Sequence, residues 1–146
     1  MRYLDTSVVV AAVTHERSTA AAHEILVGAS ADDPLAVSDW VLTEVASALS
    51  AKVRLGHLDA TTRAAASAAV ETLVSTAFVT LAVEPAHFRS ASRLLGTPEV
   101  ALRAGDALHL AVASAADAMV WTFDKGMSQA AQRLGIRVAG TDVRSG

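Results

Sequence analysis

Short apolar runs recur along this chain, and each gives way to a stretch with helical spacing. Arg2–Leu4, Leu35–Ser38, Phe78–Val83, Met119–Phe123 and Ile136–Ala139 read as strands. Ser7–Val13, Ser18–Val27, Val41–Leu55, Pro85–Leu95, Leu102–Ala115 and Ser128–Leu134 read as helices, and Asp59 opens a long Ala-rich helix that runs to about Ala77. Pro85 suits a first helical position. In two Arg-Leu-Gly triplets, Arg54–Gly56 and Arg133–Gly135, the glycine falls just past a last helical turn. Strand–helix alternation with short, continuously apolar strands predicts an α/β fold, a parallel sheet covered by helices on both faces.

The length, 146 residues, is that of one domain, taken as 1–146. Hydrophobic residues make up 52%, but 32 of the residues are alanine and only 4% are aromatic, so the chain is suited to close helix packing. Disorder is excluded, since low hydrophobicity and excess charge are both missing. The absence of cysteine excludes a disulfide scaffold and a Cys-ligated zinc site. No run reaches the roughly 20 apolar residues of a membrane span. Thr72–Val83 is bracketed by Glu71 and Glu84, and Asp117 interrupts Ala107–Phe123. Without a basic region and a cleavable apolar stretch at the start, the expected location is the cytoplasm. A net charge of −3 argues against a general basic nucleic-acid binder, though not against an enzyme that meets nucleic acid through metal ions.

Acids follow the expected strands repeatedly: Asp5, Asp39, Glu84, Asp124 and, less clearly, Asp142. In an open parallel sheet, ligands bind outside the carboxyl ends of the strands. Asp is also a favoured helix N-cap, and that reading is taken for Asp39 and Asp59, while Glu84 before Pro85 reads as a solvated acid at a helix start. Asp5 admits both readings, cap and ligand. Glu44 and Asp106 resist the cap reading, because each lies inside a helix with mostly apolar or small neighbours. A lone buried carboxylate is costly unless it is paired or meets a cation. If Asp5, Glu44, Asp106 and Asp124 converge at one sheet edge, they need a counter-charge, and an oxygen-only set favours Mg²⁺ or Mn²⁺ over zinc. Such a site suits phosphodiester hydrolysis.

At these segments the sequence resembles PIN-domain ribonucleases, specifically the VapC toxins of bacterial type II toxin–antitoxin pairs. The likeness spans nearly the whole chain. It is carried by Tyr3-Leu4-Asp5-Thr6-Ser7-Val8, by Thr43-Glu44-Val45-Ala46-Ser47-Ala48-Leu49, by Gly105-Asp106-Ala107-Leu108-His109-Leu110-Ala111-Val112-Ala113, and by Thr122-Phe123-Asp124 followed by Ala130–Gly135. The resemblance implies a three-layer fold with a five-stranded parallel sheet in the order 3-2-1-4-5. It implies Mg²⁺- or Mn²⁺-dependent endonuclease action on RNA that leaves 5′-phosphate and 3′-hydroxyl ends. Asp5, Glu44 and Asp106 would be the core acids and Asp124 the fourth, with Ser7 and Thr122 hydroxyls orienting a carboxylate or a water. A homodimer and a cognate VapB-type antitoxin are the implied partners.

Two features depart from that pattern. Trp121 is bulky for its position and is expected to face the core rather than narrow the pocket. Asp117 is a rival fourth acid, read as a loop residue. His109 shares a helix face with Asp106 and is either a satisfied structural histidine or a group touching RNA or an acid. Arg17, Arg103 and Lys125 lie near the expected edge as candidate phosphate contacts, against the plainer reading of solvated charge. His15, His23, His57 and His87 read as surface residues. Other classes fit less well. A phospho-acceptor receiver domain needs an acid pair after the first strand, an aspartate after the third and a lysine near the last. Here Asp5 stands alone, Glu84 follows the third strand, and the only lysines are Lys52 and Lys125. A non-catalytic PIN-like RNA-binding protein and a housekeeping PIN nuclease in RNA maturation are the nearer alternatives.

Overall fold

In a computed structural model, residues 1–139 are described. The elements alternate as the sequence predicts. They are β1 (Arg2–Leu4), α1 (Thr6–Val13), α2 (Thr19–Val27), β2 (Leu35–Ser38), α3 (Asp39–Arg54), α4 (Ala60–Thr76), β3 (Phe78–Leu81), α5 (Pro85–Leu95), α6 (Ala104–Ala115), β4 (Met119–Trp121), α7 (Lys125–Arg133) and β5 (Val138–Ala139). The strands form one sheet in the order β3-β2-β1-β4-β5, with every pairing parallel.

Successive strand residues point to opposite faces. All of β2 is buried, as are Tyr3 and Leu4 of β1 and Val120 of β4. Both faces of the sheet centre are therefore covered, which makes three layers. Small residues allow the close approach: Ala11, Ala22, Ala107, Ala111, Ala113 and Ala131 all sit in the core beside Val8, Val41 and Leu110.

The local signals act largely as expected. Asp59 Oδ1 accepts from the Thr62 amide at 2.6 Å and caps α4. Glu84 stands at the start of α5, where its amide donates to His87 Nδ1 at 3.0 Å. Gly56 and Gly135 take positive φ, +72° and +69°, just beyond α3 and α7, where a side chain would be strained. Asp39 is a correction. Ser38 caps α3, accepting from the Val41 amide, and Asp39 lies one residue further on, in the first turn. The last strand residue turned into the helix directly, with no linker to supply a separate cap. β4 stops at Trp121, shorter than expected, and α7 begins at Lys125, because Asp124 caps it. Asp142 lies outside the described residues.

β1 sits at the centre, with β2 on one side and β4 on the other. The connections leave it in opposite directions, so the carboxyl end of β1 borders the topological switch point where open parallel sheets bind ligands.

Candidate active site

Four carboxylates reach that point from four elements. Asp5 follows β1 directly and caps α1, Glu44 rises from α3, Asp106 stands in the first turn of α6, and Asp124 caps α7. All four line one cleft of about 290 Å³, together with Thr6, Ser7, Glu16, His109 and Phe123. The cap reading of Asp5 holds, and the same residue stands in the cleft. A residue that closes a strand and opens a helix stands at the sheet edge by construction.

Asp5 is the most enclosed of the four, with 4% of its surface exposed. Its Oδ1 accepts from Ser7 Oγ at 2.6 Å and from the Val8 amide at 3.2 Å, and its Oδ2 accepts from Thr122 Oγ1 at 2.8 Å. Burial pushes its pKa up, and the Ser7 and Thr122 hydroxyls hold it back in part. The two hydroxyls do a second task. Ser7 Oγ accepts from the Phe123 amide and Thr122 Oγ1 from the Asp124 amide, each at 2.9 Å. They tie the end of β1 to the loop that carries Asp124.

Glu44 is fixed from two sides. Its Oε2 accepts from Thr6 Oγ1 at 2.5 Å and lies 2.7 Å from His109 Nε2. Burial raises its pKa, yet the His109 and Thr6 hydrogen bonds together outweigh that and leave it lowered. His109 is 2% exposed, and its Nδ1 lies 2.9 Å from the Tyr3 hydroxyl, which is 2.8 Å from Ser38 Oγ. It is a satisfied buried histidine that also contacts an acid, so the two readings of it coincide.

Asp106 is pushed up by burial first and by the charge of Asp124 second, with Arg103 opposing. The Arg103 guanidinium stands 3.6 Å from Asp106 Oδ2 and 3.7 Å from Asp124 Oδ2. It also lines an adjoining hollow of about 370 Å³ with Leu102, Gly126 and Met127. Arg17 and Lys125 are exposed beside the cleft rather than in its wall. Asp117 lies in the turn before β4, at φ +50°, paired with Arg137 and away from the cleft. Trp121 packs on the core with the Arg2 guanidinium 5.0 Å from its ring centre and does not line the cleft.

Two cleft residues, Thr6 and Glu16, and one glycine behind Glu44 are not singled out by the sequence. Thr6 is legible afterwards as the middle of Asp-Thr-Ser. Glu16 also lines the cleft, paired with Lys52 Nζ at 2.6 Å. Gly105 packs against Glu44 and Trp40.

The donor set is all oxygen apart from one imidazole, and Asp106 and Asp124 repel each other. That chemistry fits a hard divalent cation. Among the described residues no three such groups close into a cage.

A doubly wound parallel α/β domain with a carboxylate cleft at its switch point is the class that fold and site define. The PIN domain family model matches residues 2–133, and the chain belongs to that family. No curated protein matches the sequence closely. Solved structures share the fold. VapC20 of Mycobacterium tuberculosis, a sarcin–ricin-loop-cleaving toxin, superposes with a TM-score of 0.71 at 22% identity, over 89% of this chain and 95% of that one. VapBC2 of Rickettsia felis, bound to a promoter DNA fragment, gives 0.66 at 19% identity over 95% and 98%. FitAcB of Neisseria gonorrhoeae gives 0.66 at 20% identity over 94% and 96%.

Proposed function

We propose that this protein is a Mg²⁺- or Mn²⁺-dependent endoribonuclease, the VapC-type toxin of a type II toxin–antitoxin pair, working as a single PIN domain in the cytoplasm. The observation that carries the reading is the meeting of Asp5, Glu44, Asp106 and Asp124 in one cleft at the switch point of a PIN fold. The products would be 5′-phosphate and 3′-hydroxyl ends. A VapB-type antitoxin is the proposed partner, in keeping with the VapBC complex among the structures of like fold. A homodimer is the proposed assembly. No helix of the described residues is long and apolar enough to cross a membrane.

The chain's own groups have separable tasks. Asp5, Glu44, Asp106 and Asp124 would hold the cation, directly or through water, and the cation when bound stabilises charge on phosphate oxygens. Ser7 and Thr122 keep Asp5 in one orientation by filling lone pairs on both of its oxygens. Glu44 stays ionised through Thr6 and His109 and is suited to orient or deprotonate a water. Arg103 is placed to meet a phosphate at the acid edge, with Arg17 and Lys125 exposed beside it.

Purified protein incubated with total RNA and Mn²⁺, followed by sequencing of the new ends, tests the reading. Cleavage with 5′-phosphate ends is expected, lost in Asp5→Asn and in Asp106→Asn. Full cleavage by both variants would overturn it.

A further inference from the structure

The groups behind Glu44 form a hydrogen-bonded chain whose polarity can be worked out atom by atom. Glu44 is ionised and only accepts, so Thr6 Oγ1 and His109 Nε2 must both donate to Oε2. A singly protonated imidazole with its proton on Nε2 presents a bare Nδ1. In that form Nδ1 accepts from the Tyr3 hydroxyl, 2.9 Å away. Tyr3 oxygen in turn accepts from Ser38 Oγ at 2.8 Å, and Ser38 Oγ accepts from the Val41 amide. Every donor finds one acceptor, and every proton points toward Glu44. Burial keeps Tyr3 protonated and therefore able to donate. Tyr3 and Ser38 are wholly buried, so water does not compete for these partners. Both hydrogen bonds to Glu44 fall on the same oxygen. Oε1 is left to the cleft, with Gly105 beside it.

We infer that His109 is a positioning residue. Tyr3 and Ser38 lock it as the Nε2–H tautomer, and it pins Glu44 by Oε2 so that Oε1 alone faces a cation or its water. This rests on the proposed metal-dependent reading of the cleft. It goes beyond that reading by assigning the orientation of Glu44 to a chain of residues that starts at the N-cap of α3 and reaches the cleft only at His109.

Imidazole ¹⁵N NMR on the metal-free full chain reads the tautomer directly. Protonated Nε2 with bare Nδ1 is expected, and Tyr3→Phe should give a mixture of tautomers. Mn²⁺ calorimetry reads the consequence. His109→Leu should weaken binding about tenfold, the scale of lost outer partners, while His109→Gln, whose amide reaches Glu44, should restore most of it. A proton on Nδ1 in the parent chain, or parent-like Mn²⁺ affinity in His109→Leu, overturns the inference. If His109→Leu does not fold, Tyr3→Phe decides, since it removes a single oxygen, and an unchanged tautomer there also overturns it. RNA left uncleaved by a parent chain with the expected tautomer and Mn²⁺ response would sink the nuclease reading and leave this one standing.

Discussion

A methyl group added at Gly105 would stand 3.0 Å from Glu44 Oε1. Gly105 lies in the first turn of α6 with ordinary helical φ, so the backbone does not demand glycine. An alanine there would favour the helix by about 1 kcal/mol. The space is needed by Glu44 and by the Trp40 ring, 3.5 Å from the same point. Gly105→Ala should therefore separate stability from activity. Its melting temperature should stay within about 4 °C of the parent, what roughly 1 kcal/mol moves at this size. RNA cleavage should fall about tenfold or more, because Glu44 must shift by a few tenths of an ångström. Parallel melting curves and cleavage assays check this, and a fully active variant would show that the Glu44 position is not critical.

Thr122 holds two groups at once. It is buried, donating to Asp5 Oδ2 at 2.8 Å and accepting from the Asp124 amide at 2.9 Å. Thr122→Val keeps the shape and removes both bonds. Leaving buried partners unmet costs about 2 kcal/mol. Thr122→Ser loses only a methyl, about 1 kcal/mol or less. The hydroxyl bond also lowers the Asp5 pKa, so it favours the ionised carboxylate. The Val variant should thus lose more stability at neutral pH than in acid. Urea unfolding at both pH values, with unchanged slope, measures it.

Asp106 is expected to weaken the metal-free fold. Its pKa is raised by burial and by Asp124. The folded chain then binds this proton more tightly than the unfolded chain does. The resulting stability is fully present below the unfolded carboxylate value of about 4 and is lost as pH rises through the folded one. At neutral pH the charged Asp106 therefore costs stability, although the start of α6 offsets some of it, by about 0.3–1 kcal/mol. Asp106→Asn should raise the melting temperature of the metal-free protein at pH 7 by about 2–4 °C, and the gain should vanish in acid. Saturating Mn²⁺ should reverse the order, since only the parent gains by mass action. A variant less stable than the metal-free parent at pH 7 would contradict this.

The sheet was legible because its strands are continuous apolar runs, and the acids were legible because alanine and valine surround them. Asp106 stands out in Ala-Gly-Asp-Ala-Leu, and Glu44 beside Val45 and Ala46. What the sequence could not display is contact across the fold. Thr6 meets Glu44 over 38 positions, and Tyr3 meets His109 over 106. Nothing local marks either pair. The Asp39 reading failed for a different reason: Ser38 and Asp39 are both good caps, and only the point where β2 bends into α3 selects between them. At Asp5, where cap and ligand were both open, the ambiguity did no harm, because the cap position is also a cleft position.

Arg103 supplies the last test. Its guanidinium lies between Asp106 and Asp124, the two carboxylates that repel each other, and it is 85% exposed. At 3.6 and 3.7 Å these are loose, solvent-screened ion pairs, each worth about 0–1 kcal/mol. A cation entering between the same carboxylates competes with that charge. Arg103→Ala should therefore tighten Mn²⁺ binding two- to fivefold, which is what about 0.4–1 kcal/mol amounts to. The difference should shrink at high salt, where exposed pairs are screened. Lys125→Ala removes a neighbouring exposed charge that makes no ion pair with Asp106 or Asp124, and it should change the affinity less. If Arg103 also meets a phosphate, RNA cleavage at low substrate should fall in Arg103→Ala even as the metal binds more tightly. Calorimetry at two salt concentrations, with cleavage measured alongside, separates the two effects. Mn²⁺ affinity that is unchanged or weaker in Arg103→Ala would mean that the guanidinium and the cation do not share this pair of acids.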